Sequence, residues 1–334
     1  MATIRDVARL AKVSIATVSR ILNNSADFNT TNSTREAVLE AARQLNYSPS
    51  QNYKRKNAPS KKVGVIINMT SERFYDSYFM KVLEGIKNVL AKNDYELNFI
   101  HSQHDFNETT INELFETDLK GLILMVTPKD FDLELIRKKV KHLVGVDTSI
   151  YDIDNVRYNR YEAGYKAMTY LIENNHRDIA YIGSIINEND ISTLGRYAAY
   201  KNVLAYYNIP YNPEWVINSN WERQKCFSLT QQMLSKPKRP SAIFVASDHM
   251  AIASMSAIYQ MGLRIPDDIS VISISNIESS KYTNPPLTTI SIPQIEMGNI
   301  IANTLIKRIE GDKSLPQQIY VPTELIVRNS VKTL

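Results

Sequence analysis

Twenty residues near the start of the chain, Ile4–Asn23 (IRDVARLAKVSIATVSRILN), constrain the fold more than any other stretch. Ile4, Val7, Ala8 and Ala11 recur at i, i+3, i+4 and i+7, which predicts a helix with one apolar stripe. Ser14 stands where a second helix takes its N-cap, and Val18, Ile21 and Leu22 supply the buried stripe of that helix. Ile15, Ala16, Thr17, Ser19 and Arg20 are left facing outward. Short side chains let a helix sink into a DNA major groove, hydroxyls reach phosphates or base edges, and arginine binds guanine or phosphate. The pair is therefore predicted to be a helix-turn-helix whose second helix reads DNA. A third helix is predicted from Ser33, where Ser33 and Glu36 have capping-box spacing and Val38, Leu39, Ala42 and Leu45 form a buried face.

Charge supports that reading. Residues 1–62 carry eleven Lys and Arg against four Asp and Glu, a net +7, which leaves −3 on the rest of the 334-residue chain. A basic unit of this size neutralises phosphates and releases counterions. The chain opens directly on the helical pair, without the charged-then-apolar pattern of a signal segment. No apolar run approaches the ~20 residues of a membrane span. Cys226 is alone, so no disulfide forms within the chain, and a reducing, cytoplasmic setting is expected.

Beyond Leu45-Asn46-Tyr47-Ser48-Pro49 the stretch Ser50–Lys62 (SQNYKRKNAPSKK) has no apolar periodicity and reads as a linker. Strand and helix signals then alternate. Strands are predicted at Val63–Met69, Tyr95–His101, Gly121–Val126, Leu143–Asp147, Ile179–Ile182, Ala242–Val245 and Ser270–Ile274, with an amphipathic helix at Tyr78–Lys92. Short apolar runs separated by helices predict parallel sheets covered on both faces, and about 270 residues suggest two such lobes. Ligands of open parallel sheets sit beyond the carboxyl ends of the strands. Asp147, Ser247, Asp248 and Ser275-Asn276 fall there, although strand-end Asp and Asn also cap helices.

Enzymatic chemistry finds little support. The ten glycines never fall within ten residues of one another, which excludes a dinucleotide fingerprint and a phosphate loop. His101 and His104 have no evident third metal ligand, and Cys226 has no neighbouring histidine. No cofactor is expected.

The N-terminal segment together with TREAVLEAARQLNYSP resembles the lactose/galactose repressor (LacI/GalR) family of bacterial transcription regulators. The resemblance runs nearly end to end, through HRDIAYIGS, IFVASDHMAIASMSAIYQMGLRIPDDISVISI, PPLTTISIP and PTELIVRNS. Ile292–Gly298 looks closer to the galactoside-operon branch than to the purine repressor.

The resemblance implies an all-α helix-turn-helix head (1–49), a hinge (50–62) and an α/β body (63–334) of two Rossmann-like lobes, as in periplasmic binding proteins. The N-lobe is placed at about 63–158 and 291–321 and the C-lobe at about 162–287 and 323–334, with crossovers near 159–162, 287–292 and 320–324. It further implies a homodimer on a pseudo-palindromic operator, with a small sugar, galactose or a galactoside, in the cleft. Carried over by position, Ser14, Ile15, Ala16, Thr17, Ser19 and Arg20 form the recognition helix, and Ile15 and Ala16 chiefly set operator preference. Thr3, Arg5, Asn23 and Thr34 lie near the DNA backbone. Arg196 grips sugar hydroxyls, Trp221 stacks on a sugar face, and Phe74, Tyr75, Tyr78, Asp147, Ser247 and Ser275 line the cleft.

Three positions depart from the family pattern. Lys12 replaces the usual glycine of the turn, at a cost of ~1 kcal/mol if its backbone is left-handed. Ser275-Asn276 replaces a frequent pair of aspartates. The linker lacks the minor-groove leucine, and only Tyr53 can intercalate in its place. Either the kink is made differently or Lys54, Arg55 and Lys56 bind phosphates in a narrow minor groove; the second reading is favoured. The same architecture also serves a global carbon-catabolite regulator controlled by a phosphorylated carrier protein, which is the alternative function.

Overall fold

The structure is a computed structural model that describes residues 3–22, 30–45, 47, 61–67, 76–102, 118–125, 133–185 and 191–334. It separates into a unit of residues Met1–Ser60 and a unit of Lys61–Leu334.

The first unit holds α1 (Ile4–Leu10), α2 (Ile15–Leu22) and α3 (Asn32–Gln44). Their apolar stripes converge on Val7, Val18 and Val38, all fully buried, with Ala8, Ile21, Ala41 and Ala42 around them. Each first turn is tied by short polar side chains. Asp6 accepts from the Thr3 backbone N–H (2.9 Å) and hydroxyl (2.7 Å), and these bonds hold its carboxyl below the usual range. The third helix begins earlier than the Ser33–Glu36 spacing suggests: Thr31 is the cap, accepting from the Thr34 N–H at 3.3 Å.

Lys12 does adopt the left-handed conformation, with φ +55°. The Val13 N–H reaches the Ala8 carbonyl (3.0 Å) and the Lys12 N–H the Arg9 carbonyl (3.3 Å). This is the Schellman termination, in which glycine is the usual occupant of the left-handed site. Lys12→Gly is expected to stabilise the head by about 1 kcal/mol, seen as a higher melting temperature of its calorimetric transition.

The second unit is built on two six-stranded sheets. The first contains β1 (Lys61–Ile67), β2 (Tyr95–Ser102), β3 (Leu119–Met125), β4 (Leu143–Val146), β5 (Asp154–Tyr158) and β11 (Gln318–Val321), in the order β11-β5-β4-β3-β1-β2. All its pairings are parallel. The second contains β6 (Ile179–Gly183), β7 (Val216–Asn218), β8 (Ala242–Val245), β9 (Ser270–Ser275), β10 (Thr288–Ser291) and β12 (Glu324–Ile326), in the order β12-β10-β9-β8-β6-β7. The fold class is thus the α/β one read from the sequence, with one addition: β12 runs antiparallel to β10.

Helices cover both sheets: α4 (Ser77–Lys92), α5 (Leu133–Lys139), α6 (Arg160–Glu173), α7 (Ile191–Tyr206), α8 (Arg223–Leu234), α9 (Asp248–Gln260) and α10 (Gln294–Ile309). The chain passes between sheets three times: from β5 into α6, which packs on β8, β9, β10 and β12; from β10 into α10, which packs on β3, β4 and β5; and from β11 to β12. Lys166 of α6 pins the last pass, donating to the Thr323 carbonyl (2.7 Å) and hydroxyl (3.2 Å).

Two features fix the packing. The helices α4 and α10 cross where Gly85 meets Gly298; a Cβ on either would overlap a carbonyl oxygen of the other helix, Ile295 or Val82 respectively. The C-terminal segment is tied down by His176, whose Nδ1 lies 2.9 Å from the Ser241 hydroxyl and whose Nε2 lies 3.1 Å from the Lys332 carbonyl. Nearby, Asn175 donates to the Leu334 carbonyl at 2.9 Å. Burial holds the His176 pKa below its ordinary 6.5, so the unfolded chain takes up this proton more readily than the folded one. The contribution is present above about 6.5 and is lost as pH falls through the folded value. The melting temperature is expected to decline between pH 7 and 5, less steeply in His176→Asn, as read by scanning calorimetry across that range.

Candidate DNA-reading helix and ligand cleft

In the head, the Ser14 hydroxyl accepts from the Thr17 N–H (3.1 Å) and shares a 2.9 Å bond with the Thr17 hydroxyl. That cap starts α2 with Ser14, Ile15 and Ala16 exposed, Thr17 and Ser19 half-buried and Arg20 exposed. Ile15 is 46% exposed, an apolar side chain left in solvent at the leading turn of a helix. Thr3 and Arg5 are exposed and Thr34 is half-buried. Asn23, Tyr53, Lys54, Arg55 and Lys56 lie outside the described residues, as do His104 and the cleft candidates Phe74 and Tyr75.

In the body, the carboxyl ends of the strands bring several polar groups together. Asp147 follows β4 with φ +55°, a left-handed backbone that turns its carboxylate off the sheet. Its Oδ2 accepts from Arg160 Nη2 at 3.0 Å; Oδ1 is buried with no hydrogen-bond partner among the described residues. Arg160 opens α6, so this ion pair spans the first pass between the sheets. Arg196, on α7, donates to the hydroxyl of Tyr158 at the end of β5, and its guanidinium lies 5.2 Å from the Trp221 ring centroid. The Nε atoms of both arginines are also buried without a partner among the described residues.

Electrostatics bind the group together. Burial opposes the Arg160 charge, but Asp147, with Tyr158 and Tyr78, outweighs it and raises its pKa above the ordinary arginine value. Burial, reinforced by Asp147, pushes the Tyr78 phenol well up, so it stays a hydroxyl. Small residues allow the approach: a Cβ on Gly195 would stand 2.8 Å from the Arg160 Cβ, and one on Gly164 would stand 3.2 Å from the Arg196 Cα.

Tyr78, Asp147, Arg196 and Trp221 therefore gather in one place, with Trp221 held there by φ +64°. Ser247 and Ser275 stand at the carboxyl ends of the neighbouring β8 and β9, each engaged locally. Ser247 caps α9, accepting from the Met250 N–H at 3.4 Å, and the Ser275 carbonyl accepts from the buried Gln294 amide. Two strand-end candidates turn inward instead. Asp248 is fully buried and accepts from Ser273 (2.5 Å), Thr289 (2.6 Å) and the Ile277 N–H (2.9 Å), which ties β9 to β10. Asn276 accepts from Arg328 at 2.6 Å and donates to Ser291 at 3.1 Å, so its side chain ties the end of β9 to β10 and the C-terminal segment.

The reading of the sequence missed Tyr158 and Arg160. Their signal was the polar pair Asn159-Arg160 directly after a buried strand, at the crossover. Among the described residues no cluster of His, Cys, Asp and Glu is arranged to hold a metal ion, and no helix is long and apolar enough to cross a membrane. Cys226 is packed, bonded to Ser254, with its thiol pushed up by burial to about 11.

Residues 3–50 match the family described as bacterial regulatory proteins, lacI family, and residues 168–331 match a periplasmic binding protein-like domain. The chain is 32% identical over 342 residues to the HTH-type transcriptional repressor PurR of Histophilus somni, covering all of both chains. It is 30% identical over 339 residues to the ribose operon repressor of Haemophilus influenzae, again covering all of both. Its fold matches that of the lac repressor dimer bound to operator and the anti-inducer ONPF, with a TM-score of 0.74, 25% identity and 99% of each chain covered. It also matches the transcriptional regulator CelR in complex with cellobiose, with a TM-score of 0.72 and 23% identity over 99% of this chain and 100% of that one. A helix-turn-helix head ahead of a two-lobed binding body, matched over its whole length by relatives of both parts, makes this chain a member of the LacI family of DNA-binding transcriptional regulators.

Proposed function

We propose that the chain is the homodimeric repressor of a sugar-utilisation operon, released from a pseudo-palindromic operator by a small sugar held between the lobes. The observation that carries this is the group Asp147, Arg160, Arg196 and Trp221, which among the described residues leaves three buried polar atoms without a hydrogen-bond partner. Buried polar atoms without partners are costly, and here they comprise one carboxylate acceptor and two guanidinium donors beside an aromatic ring. A polyol supplies hydroxyls that donate to the one and accept from the others, and its C–H face covers the ring. The preference for galactose or a galactoside rests on the sequence of Ile292–Gly298 alone; the relatives named above are called the transcriptional repressor PurR and the ribose operon repressor.

In this reading Ile15 and Ala16 select the operator, while Thr3, Arg5, Ser14, Thr17, Ser19, Arg20 and Thr34 hold its edges and backbone. A tenfold change in operator affinity needs only ~1.4 kcal/mol of differential sugar binding between two lobe arrangements. Titration calorimetry with galactose, lactose and allolactose, paired with binding to an operator duplex selected from random sequence, tests the reading. Arg196→Ala is expected to keep operator affinity and lose more than tenfold in sugar affinity, and with it the release. Heat from none of the three sugars, with operator binding that requires a phosphorylated carrier protein, would establish the catabolite-regulator alternative instead.

A further inference from the structure

We infer that Arg160 is the positioning residue through which occupancy of the cleft reaches the angle between the lobes; the inference rests on the reading of the cleft as the effector site. The Asp147–Arg160 pair is an ion pair that joins the strand ends of the first sheet to a helix seated on the second, beside the Arg196–Tyr158 bond that makes the same crossing. Both partners are withdrawn from water, with side-chain exposures of 8% and 17%. A pair so placed is only weakly screened and has a defined geometry.

Each partner is also held from behind. Asp147 is fixed by its left-handed backbone and by its N–H, which donates to the Val156 carbonyl at 3.2 Å. The stem of Arg160 rests against Gly195 of α7, where a Cβ would stand 2.8 Å away. Gly195 precedes Arg196, so the two guanidiniums are set by the same helix crossing. Tyr158 sits between them, bonded to Arg196 and with the Arg160 guanidinium carbon 5.8 Å from its ring centroid.

Among the described residues the pair therefore presents one free atom from each side of the pass, Asp147 Oδ1 and Arg160 Nε. A ligand that donates to the first and accepts from the second bridges the two lobes at their hinge. Rotating α6 against β4 changes the distance between these atoms, so such a ligand favours one angle over another. Arg160 transmits that preference, carrying the free donor that faces the free oxygen of Asp147; Arg196, bonded to Tyr158, and Trp221 contribute affinity.

The test compares the full-length wild type with Asp147→Asn, Arg160→Gln, the double variant and Arg160→Lys, with melting curves confirming a folded body. Operator affinity is measured first without any ligand, by fluorescence anisotropy. Arg160 belongs to the unit Lys61–Leu334 and not to the unit that holds the recognition helix. Each of the first two variants is expected to shift operator affinity at least fivefold, the double variant by no more than either single one, and Arg160→Lys to return towards wild type. Operator affinity of Arg160→Gln within twofold of wild type, or additive effects in the double variant, overturns the inference.

With galactose as probe, Arg160→Gln is expected to bind it more weakly than the wild type, having lost one donor to the ligand, and at saturating galactose to release the operator less than twofold. Full release, or loss of galactose binding altogether, assigns Arg160 a different role. Should the wild type itself not bind galactose, the galactoside reading fails, and the ligand-free comparison still decides the coupling. If Arg160→Gln does not fold, Arg160→Lys and Asp147→Asn carry the same ligand-free comparison.

Discussion

Arg308→Met is expected to destabilise the body by about 3–5 kcal/mol, the range for removing one member of a buried ion pair. Arg308 Nε and Nη2 both engage the Asp154 carboxylate, and the two side chains are only 13% and 4% exposed. The same guanidinium donates to the carbonyls of Asp312 (3.2 Å), Ser314 (2.5 Å) and Leu315 (3.1 Å), so it shapes the whole return from α10 to β11. Asp154 completes the joint by accepting from the Gln317 N–H at 2.8 Å. Methionine keeps much of the stem volume but leaves a carboxylate and three carbonyls to find other donors. Urea unfolding followed by far-UV circular dichroism measures the loss. A midpoint within error of wild type would show that the loop finds water as good a partner.

Gly298→Ala is expected to cost about 3 kcal/mol, at the upper end for overpacking a core, because the added methyl group meets backbone. Its nearest neighbour is the Val82 carbonyl oxygen, with the Ile86 nitrogen 2.9 Å and the Gly85 Cα 3.0 Å away. No rotamer change relieves such a clash; the two helices must move apart. Gly85→Ala is expected to act similarly, and the double variant to cost less than the sum, since one separation accommodates both. Thermal unfolding of the three proteins checks this, and additivity would place the strain elsewhere.

The head was legible because its apolar residues recur with the helical period and its turns are made by residues five or fewer apart. Lys12 shows where such reading needs chemistry as well as pattern. Glycine is preferred at a left-handed site, but the penalty for another residue is small enough that the bonds of the turn impose the conformation. The third helix was displaced because Thr31-x-x-Thr34 and Ser33-x-x-Glu36 compete for one N-terminus, and local spacing does not rank them.

In the body, β1, β3 and β9 announced themselves as apolar runs. The three-residue β12 did not, since Glu324-Leu325-Ile326 is too short to show a period and pairs with a strand more than thirty residues earlier. Strand-end acids look alike in sequence. Asp147 faces Arg160 with one oxygen free among the described residues, whereas Asp248 is consumed by two hydroxyls and an amide. Only the left-handed turn after β4 separates them, and that depends on β5 folding back alongside. Arg160 was overlooked for a related reason: its partner lies thirteen residues back, across a crossover that no local pattern reveals.

Three short covalent links join the two sheets, and they lie close to one another, β5 beside β11 and β10 beside β12. Two rigid bodies tethered once retain most of their six relative degrees of freedom. Tethered three times along one edge, they keep essentially a single hinge rotation. A molecule bound between them then has one coordinate to act on, whatever its own chemistry. Replacing side chains in the cleft changes which compound is sensed without altering how the response is conveyed, so one scaffold accommodates new signals while its output stays the same.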